Sequence, residues 1–424
     1  MTNVFVIVII SSFALFSLLL SLRYYLRRAC PAKSYIGGPV LINKKKVDPS
    51  YILLSPYIAL NNFKGKGIVY LLDLLGRVIH KWETKHQVFA ALFKKNGNLV
   101  ITNVVADNLD QYPGGGKSGC ISELDWEGKV VWEYHNSHIH HDFEIMPNGN
   151  IVALMYERIP KDLARRIKGG IPGSECNGDM WSDAIIEIDR SKKIIWRWCA
   201  YKHLDFEEYR LNELTPRSEL MHSNSIRYLE KDPFWGEEAF LISMRHLNTV
   251  AIVRKSDGKI IWKSPKSQME GMFSYQHDAT LLANGNILAF DNGLFRLQKR
   301  PFLRSRVIEV NPRKNKIVWW FSGGKTGPEL AKFAASILGS AQRLKNGNTM
   351  IVNGLQGHLF EVTKNKEIVW DFINPCTTFS TGAWKNNIIF RARRYREDEI
   401  KWPQKLRKPI PRLIQLFSSL SGTI

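Results

Sequence analysis

Three histidines carry the chemistry that is visible in the sequence. The stretches "HDFEIMPNGN", from His141, and "HDATLLANGN", from His277, place His-Asp at one fixed offset before Asn-Gly-Asn. "MHSNSIRYL" puts His222 in the same register, although its turn has lost the Asn-Gly. Near neutral pH an imidazole can be a nucleophile, a proton carrier or a metal ligand. Whether these three can act together depends on the elements that position them.

Those elements repeat. An apolar run, a polar turn and a second apolar run ending in Trp recur as "VYLLDLLGRVIHKW", "ISELDWEGKVVWEY", "IIEIDRSKKIIWRW", "AIVRKSDGKIIWKS", "VIEVNPRKNKIVWW" and "LFEVTKNKEIVWDF". Each reads as a β-hairpin. A second hairpin, turning at Asn-Gly-Asn or its worn equivalent, lies between consecutive copies. Two hairpins make four antiparallel strands, and six units make an all-β, six-bladed propeller. The N-terminal hairpin ending at Trp82 is expected to pair with a C-terminal hairpin near Thr378–Arg393 and close the ring. A large aromatic at one fixed position per blade, from Trp82 to Trp370, is expected to pack blade against blade.

Innermost strands line the channel. Their equivalent positions hold Phe89, His141, His222, His277, Gly339 and Phe379, so three histidines should converge at one mouth. The neighbouring strands run back to that mouth and end at Val104, Tyr156, Arg245, Asn292, Gly354 and Arg393. The long connections fall on the same face, where binding sites are usually built. Histidines beside arginines form an electropositive pocket suited to a sulfate or phosphate ester. A tris-histidine zinc site from His141, His222 and His277 is the competing reading. "QYPGGGKSG" lacks the leading glycine and the strand-loop-helix setting of a phosphate loop, and reads as a flexible connection. "SDGKIIWK" resembles the tryptophan repeat of quinoprotein dehydrogenase propellers, which normally have eight blades.

The chain has 424 residues, a net charge of +21 and five cysteines without CxxC or zinc spacing. Basicity fits a solvated surface, an anionic substrate or an anionic membrane, and the usual nucleic-acid motifs are missing. Residues 4–22, "VFVIVIISSFALFSLLLSL", carry no charge and are long enough to cross a bilayer. They read as a retained single-pass anchor. The basic residues that follow it favour a cytoplasmic main domain by the positive-inside rule. The expected organisation is an anchor and basic flank over 1–30, a linker with an opening strand over 31–60, the propeller over 61–395 and a basic tail over 396–424.

The motifs "HHDFEIMPNGNIVAL", "MHSNSIRYL", "LISMRHLNTV" and "QHDATLLANGNILAFDNG" resemble the bacterial arylsulfate sulfotransferases, which do not use PAPS. The likeness spans most of residues 60–395. It implies a six-bladed propeller that moves a sulfuryl group from a phenolic sulfate to a phenol by a ping-pong route, with no cofactor. It further implies His277 as the nucleophile that becomes sulfohistidine, with His141 and His222 assisting and His222 carrying the proton. Arg245 would hold sulfuryl oxygens, and Asn224 would add a hydrogen bond. Tyr156, Asn292 and Arg393 complete the expected substrate-binding set. The family's periplasmic setting argues against the cytoplasmic side. A non-catalytic propeller binding an anionic ligand and a quinoprotein-like oxidoreductase are the alternatives.

Overall fold

Each alternating apolar run becomes a strand, and each Asn-Gly or Asp-Gly pair becomes a tight turn. The structure, a computed structural model, describes residues 38–56, 66–105, 115–265, 272–296, 304–323, 333–376, 378–379 and 385–403. Its sheets form a six-bladed propeller.

Counted from the axis outward, blade 2 contains Val88–Phe93, Leu99–Val104, Gly119–Leu124 and Val130–His135. Blade 3 contains Ile139–Ile145, Ile151–Arg158, Trp181–Ile188 and Ile194–Cys199. Blade 4 contains Ser223–Leu229, Ala239–Met244, Thr249–Arg254 and Ile260–Lys263. Blade 5 contains His277–Leu281, Ile287–Asp291, Arg306–Asn311 and Lys316–Phe321. Blade 6 contains Ser340–Arg343, Thr349–Asn353, His358–Val362 and Ile368–Ile373, with Pro39–Ile42 added as a fifth, outer strand.

Blade 1 corrects the expected closure. Its inner strand is Ile389–Tyr395, and its other three are Tyr51–Pro56, Gly67–Leu72 and Val78–Thr84. One C-terminal strand therefore closes the ring against three N-terminal strands, instead of hairpin against hairpin. The stretch "YILLSP" at Tyr51–Pro56 is buried throughout, so it has no alternation to betray it as a strand. Among the described residues Thr378–Phe379 and Lys385–Asn386 pair only with each other, and the inner strand of blade 1 is Ile389–Tyr395, so Phe379 is not the sixth member of the inner column. The strand Tyr51–Pro56 lies within the 31–60 segment expected to hold an opening strand, and it pairs into blade 1.

The tryptophans join neighbouring blades through a specific bond. Trp82 Nε1 donates to the Asp125 carbonyl (2.9 Å), Trp132 to Arg190 (3.1 Å) and Trp196 to Lys255 (3.1 Å). Trp262 donates to Asn315 Oδ1 (3.1 Å), Trp319 to the Lys364 carbonyl (2.9 Å) and Trp370 to the Leu74 carbonyl (2.9 Å). Every acceptor lies in the outer turn of the next blade, and the last bond returns to blade 1. Trp82→Phe keeps the ring but removes the donor, so urea unfolding should show a loss of about 0.5–1.5 kcal/mol.

The second Asn of each Asn-Gly-Asn has a partner of its own. Asn98, Asn150, Asn286 and Asn348 donate Nδ2 to Glu123, Glu187, Glu309 and Glu361 at 2.6–2.7 Å. Each of these glutamates lies opposite its blade's tryptophan. In blades 1 and 4, which lack the motif, Val69 and Ile252 take that place. The turn and the third strand thus vary together.

The expected anchor at 4–22 and the end of the basic tail lie outside the described residues. Among the described residues no helix is long and apolar enough to cross a membrane.

Candidate active site

The inner strands reach the channel mouth with a kink. Ladder pairing shifts in blade 3 between His140 and Phe143, in blade 4 between Ser223 and Ser225, and in blade 5 between His277 and Thr280. Beside these shifts His141, His222 and Asp278 adopt φ of 48°, 49° and 53°. A left-handed conformation costs a non-glycine residue about 1–2 kcal/mol, and a bulge re-aims the side chains around it. The kinks therefore decide which groups face the mouth.

The rings of His141 and His222 meet edge to face with centroids 4.6 Å apart. The His246 ring stacks on the other side of His222 at 4.8 Å, and Tyr275 lies 5.8 Å beyond His246. The Arg245 guanidinium sits over the Tyr275 ring, 4.5 Å from its centroid. Among the described residues no carboxylate comes within ion-pair distance of Arg245, and its Nε is buried without a hydrogen bond. Its donors are therefore held in place by a ring rather than consumed by an acid.

His277 is oriented by Asn292. The Asn292 Nδ2 donates to the carbonyls of Ala335 (2.9 Å) and Leu338 (2.7 Å), so its Oδ1 must be what lies 2.7 Å from His277 Nδ1. That oxygen can only accept. In the neutral ring Nδ1 therefore carries the proton, and the Nε2 lone pair is left bare.

The remaining expected residues have other partners. Tyr156 donates from its hydroxyl to the Gly115 carbonyl (2.5 Å) and stacks on His140 at 3.9 Å. Asn224 donates to the Gln276 carbonyl at 2.7 Å, and its Oδ1 is buried without a partner. Arg393 lies on the inner strand of blade 1, not at the end of a second strand. Both ends of its fork bind Asp278, at 2.9 and 2.6 Å. Its donors are thus engaged inside the channel.

Asp142 and Asp278, the aspartates of the two His-Asp motifs, serve the ring itself. Asp142 accepts from Arg227 (2.7 Å), Arg391 (2.6 and 3.0 Å) and the Ile226 amide (3.1 Å). Asp278 accepts from Arg227 (2.7 Å), Arg393 and the Ala341 amide (3.2 Å). Burial alone would raise the pKa of Asp278, but Arg391, Arg393 and Arg227 outweigh it and keep the group ionised. Two carboxyl groups do reach the histidines: Glu219 Oε1 lies 2.5 Å from His222 Nδ1, and Asp183 Oδ1 lies 3.4 Å from Nε2 of His140, whose Nδ1 is 2.8 Å from His141 Nδ1.

The glycine run set aside in the sequence packs against this site. The Gly116 carbonyl accepts from the His141 amide at 2.7 Å. A Cβ on Gly116 would fall 2.2 Å from His141 Cε1, at φ +78°. Gly116→Ala should displace that ring and cost about 1–3 kcal/mol in a urea melt.

Burial keeps the imidazoles neutral. It holds His277 down at about 3, helped by the Arg245 charge and opposed by Asn292. His246 is likewise held at about 3, by burial above all and against the pull of Glu219. His141 and His222 are pushed well below the usual histidine value, each chiefly by burial. Every ring at the mouth is therefore available as a neutral base or nucleophile at pH 7.

Glu219, His222 and His246 bring ligand atoms within 4.8 Å of one another, as do Cys120, Glu133 and His135 on the outer strands of blade 2. The trio His141, His222 and His277 does not form such a group among the described residues. At the mouth the Arg245 charge opposes a second cation, and Glu219 already bonds His222.

Fold and mouth together define a propeller with a buried, uncharged histidine cluster beside one unpaired arginine. The profile of a family described as Arylsulfotransferase (ASST) matches residues 92–375, more than half the chain. The chain belongs to the arylsulfotransferase family. No curated protein matches it. Among solved structures it is similar to a protein of unknown function from Bacteroides caccae, at 12% identity and TM-score 0.48, over 82% of this chain and 100% of that one. A streptogramin B lyase is similar at 11% identity and TM-score 0.42, over 81% and 98%. A europium-containing methanol dehydrogenase is similar at 11% identity and TM-score 0.39, over 77% and 68%.

Proposed function

We propose that this propeller transfers a sulfuryl group from a phenolic sulfate ester to a phenol through a covalent intermediate on His277. The observation that carries this reading is the fixed tautomer of His277. Asn292 holds the Nδ1 proton, so a neutral Nε2 lone pair stands at the mouth near the Arg245 charge.

In the first half-reaction Nε2 of His277 forms a bond to sulfur while the bond from sulfur to the aryl oxygen breaks. Arg245 donates to the sulfuryl oxygens, and its free fork suits a planar group of acceptors. The positive charge that develops on the ring is met by the Asn292 carbonyl oxygen. The neutral His222 gives its Nε2 proton to the departing phenolate while its Nδ1 takes one from the Glu219 carboxyl, and the ring stays neutral. In the second half-reaction the acceptor phenol loses its proton to His222, its oxygen bonds to sulfur, and the nitrogen–sulfur bond breaks. His277 returns to its neutral state. His141 flanks His222 and assists it as a neutral ring, and Asn224 borders the pocket.

Purified protein incubated with a chromogenic aryl sulfate and a phenol should release the chromogenic phenol and yield the sulfated acceptor. No release under any donor and acceptor pair would remove this reading.

The membrane anchor belongs to the same proposal. Pro39–Ile42 is bonded to the outer strand of blade 6, so a helix at 4–22 would tether the ring by that edge.

A further inference from the structure

Glu219 has no place in any repeat, yet it touches the group that would move the proton. It lies three residues before His222, in the connection between blades 3 and 4, and is 6% exposed. Its backbone is fixed on both sides: the Ser218 carbonyl accepts from the Trp181 amide at 2.9 Å, and the Leu220 amide donates to the Trp181 carbonyl at 2.7 Å. Leu220 and Met221 are fully buried, so the segment cannot slide. From this anchored position Oε1 reaches His222 Nδ1 at 2.5 Å.

We infer that Glu219 is the positioning residue that sets which nitrogen of His222 carries the proton. The inference rests on the sulfotransferase reading for its consequence, but not for its geometry. Two states follow from the one hydrogen bond. With Glu219 ionised, its oxygen can only accept, so His222 carries its proton on Nδ1 and offers a bare Nε2 as a base. With Glu219 protonated, the carboxyl donates to Nδ1, so the proton of the neutral ring sits on Nε2 and can be given away as the Glu219 proton passes to Nδ1. The two states are the ones that the two half-reactions need: an acid for the departing phenolate, a base for the attacking phenol.

The surroundings support a switch near neutrality. Burial pushes the Glu219 carboxyl up to about 7, against the pull of the neighbouring His246 ring and the Arg245 charge. Burial, then Arg245 and His140, keep the His222 ring itself from charging, and Asp183 opposes them. The groups facing the pair are thus Arg245 and His246 from the end of the second strand of blade 4, and His140, His141 and Asp183 from blade 3. His246 stacks on His222 and lies 3.3 Å from the Glu219 carbonyl, so it meets the backbone of Glu219 while Oε1 meets His222. Below about pH 7 the proton rests on Glu219; above it the proton leaves, and the His222 tautomer reverses.

Two measurements on the full chain test this separately. Long-range proton–nitrogen correlation spectra of histidine-labelled protein report each ring's tautomer without any turnover. His222 should pass from Nε2-protonated to Nδ1-protonated as pH rises through about 7, and Glu219→Gln should lose that reversal while keeping its fold. A His222 tautomer that stays fixed across that range in wild type overturns the inference, whatever the enzyme does. The second measurement takes the half-reactions singly. Adduct formation from a sulfate with a poor leaving group should slow above about pH 7, and discharge to a phenol should speed up. In Glu219→Gln both limbs should flatten, with each optimum rate at least about tenfold lower. Limbs unchanged in the variant overturn the inference too. A wild type that takes up no sulfuryl group overturns the sulfotransferase reading instead, and the tautomer measurement then decides the inference by itself.

Discussion

His277→Ala should abolish transfer, with the rate of phenol release from an aryl sulfate falling by about 10³-fold or more. The size follows from the proposed route. Without Nε2 no atom at the mouth carries a lone pair fixed at the same place, because Asn292 orients this ring alone. The variant should still bind the donor, since Arg245 and its Tyr275 support are untouched. It should also fold, because Asn292, which binds the histidine's Nδ1, keeps its bonds to Ala335 and Leu338. Near-UV circular dichroism checks the fold, and undiminished release would count against a covalent role. Asn292→Ala provides the matching control: the nucleophile remains but its tautomer is no longer imposed.

Asp278→Ala should be the most damaging change to the fold, although its neighbour is the proposed nucleophile. Asp278 is buried and binds Arg227, Arg393 and Arg391, drawn from blade 4 and the closing strand of blade 1. It also holds the Ala341 amide of blade 6 at 3.2 Å. Removing it takes away the ion-pair partner of Arg393 and leaves Arg227 and Arg391 with Asp142 as their main counter-charge. Breaking a buried pair on one side costs about 3–5 kcal/mol, because the partner's charge stays behind undissolved. Denaturant unfolding should register that loss. The same network predicts acid sensitivity with a definite sign: the arginines depress the Asp278 pKa below its unfolded value, so its contribution is present above the usual carboxylate range and is lost as pH falls through the depressed value. A stability unchanged by Asp278→Ala would show that ring closure does not depend on the channel charges.

Repetition is what made the architecture legible. Six tryptophans at one strand position announce six blades because each must reach the next blade's turn. Placing His141, His222 and His277 in one column needed only the offset from the turn. Legibility failed where the repeat was broken or silent. Tyr51–Pro56 falls where an opening strand is expected, but it is buried on both faces, so alternation does not show that it is the second strand of blade 1. With Thr378–Phe379 taken as the inner strand, Arg393 falls at the end of a neighbouring strand; Ile389–Tyr395 is innermost instead, which puts Arg393 on Asp278. Glu219 lies in a connection with no counterpart in other blades, so only the three-residue spacing from His222 could have pointed to it. His246 follows Arg245 directly, and alternation would have sent it to the other face; the chain turns there instead, with Asn248 at φ 52°. Gly116 resembles part of a phosphate loop in sequence, whereas its smallness serves the close approach of the His141 ring.

All of the proposed chemistry depends on a bond between the His277 nitrogen and sulfur, and the intact mass of the protein reads that bond directly. After brief exposure to an aryl sulfate without acceptor, the wild-type chain should gain one sulfuryl group, lose it on adding a phenol, and gain none when His277 is alanine. A wild-type mass that never changes while sulfated acceptor accumulates, or a gain that persists in His277→Ala, would contradict the account.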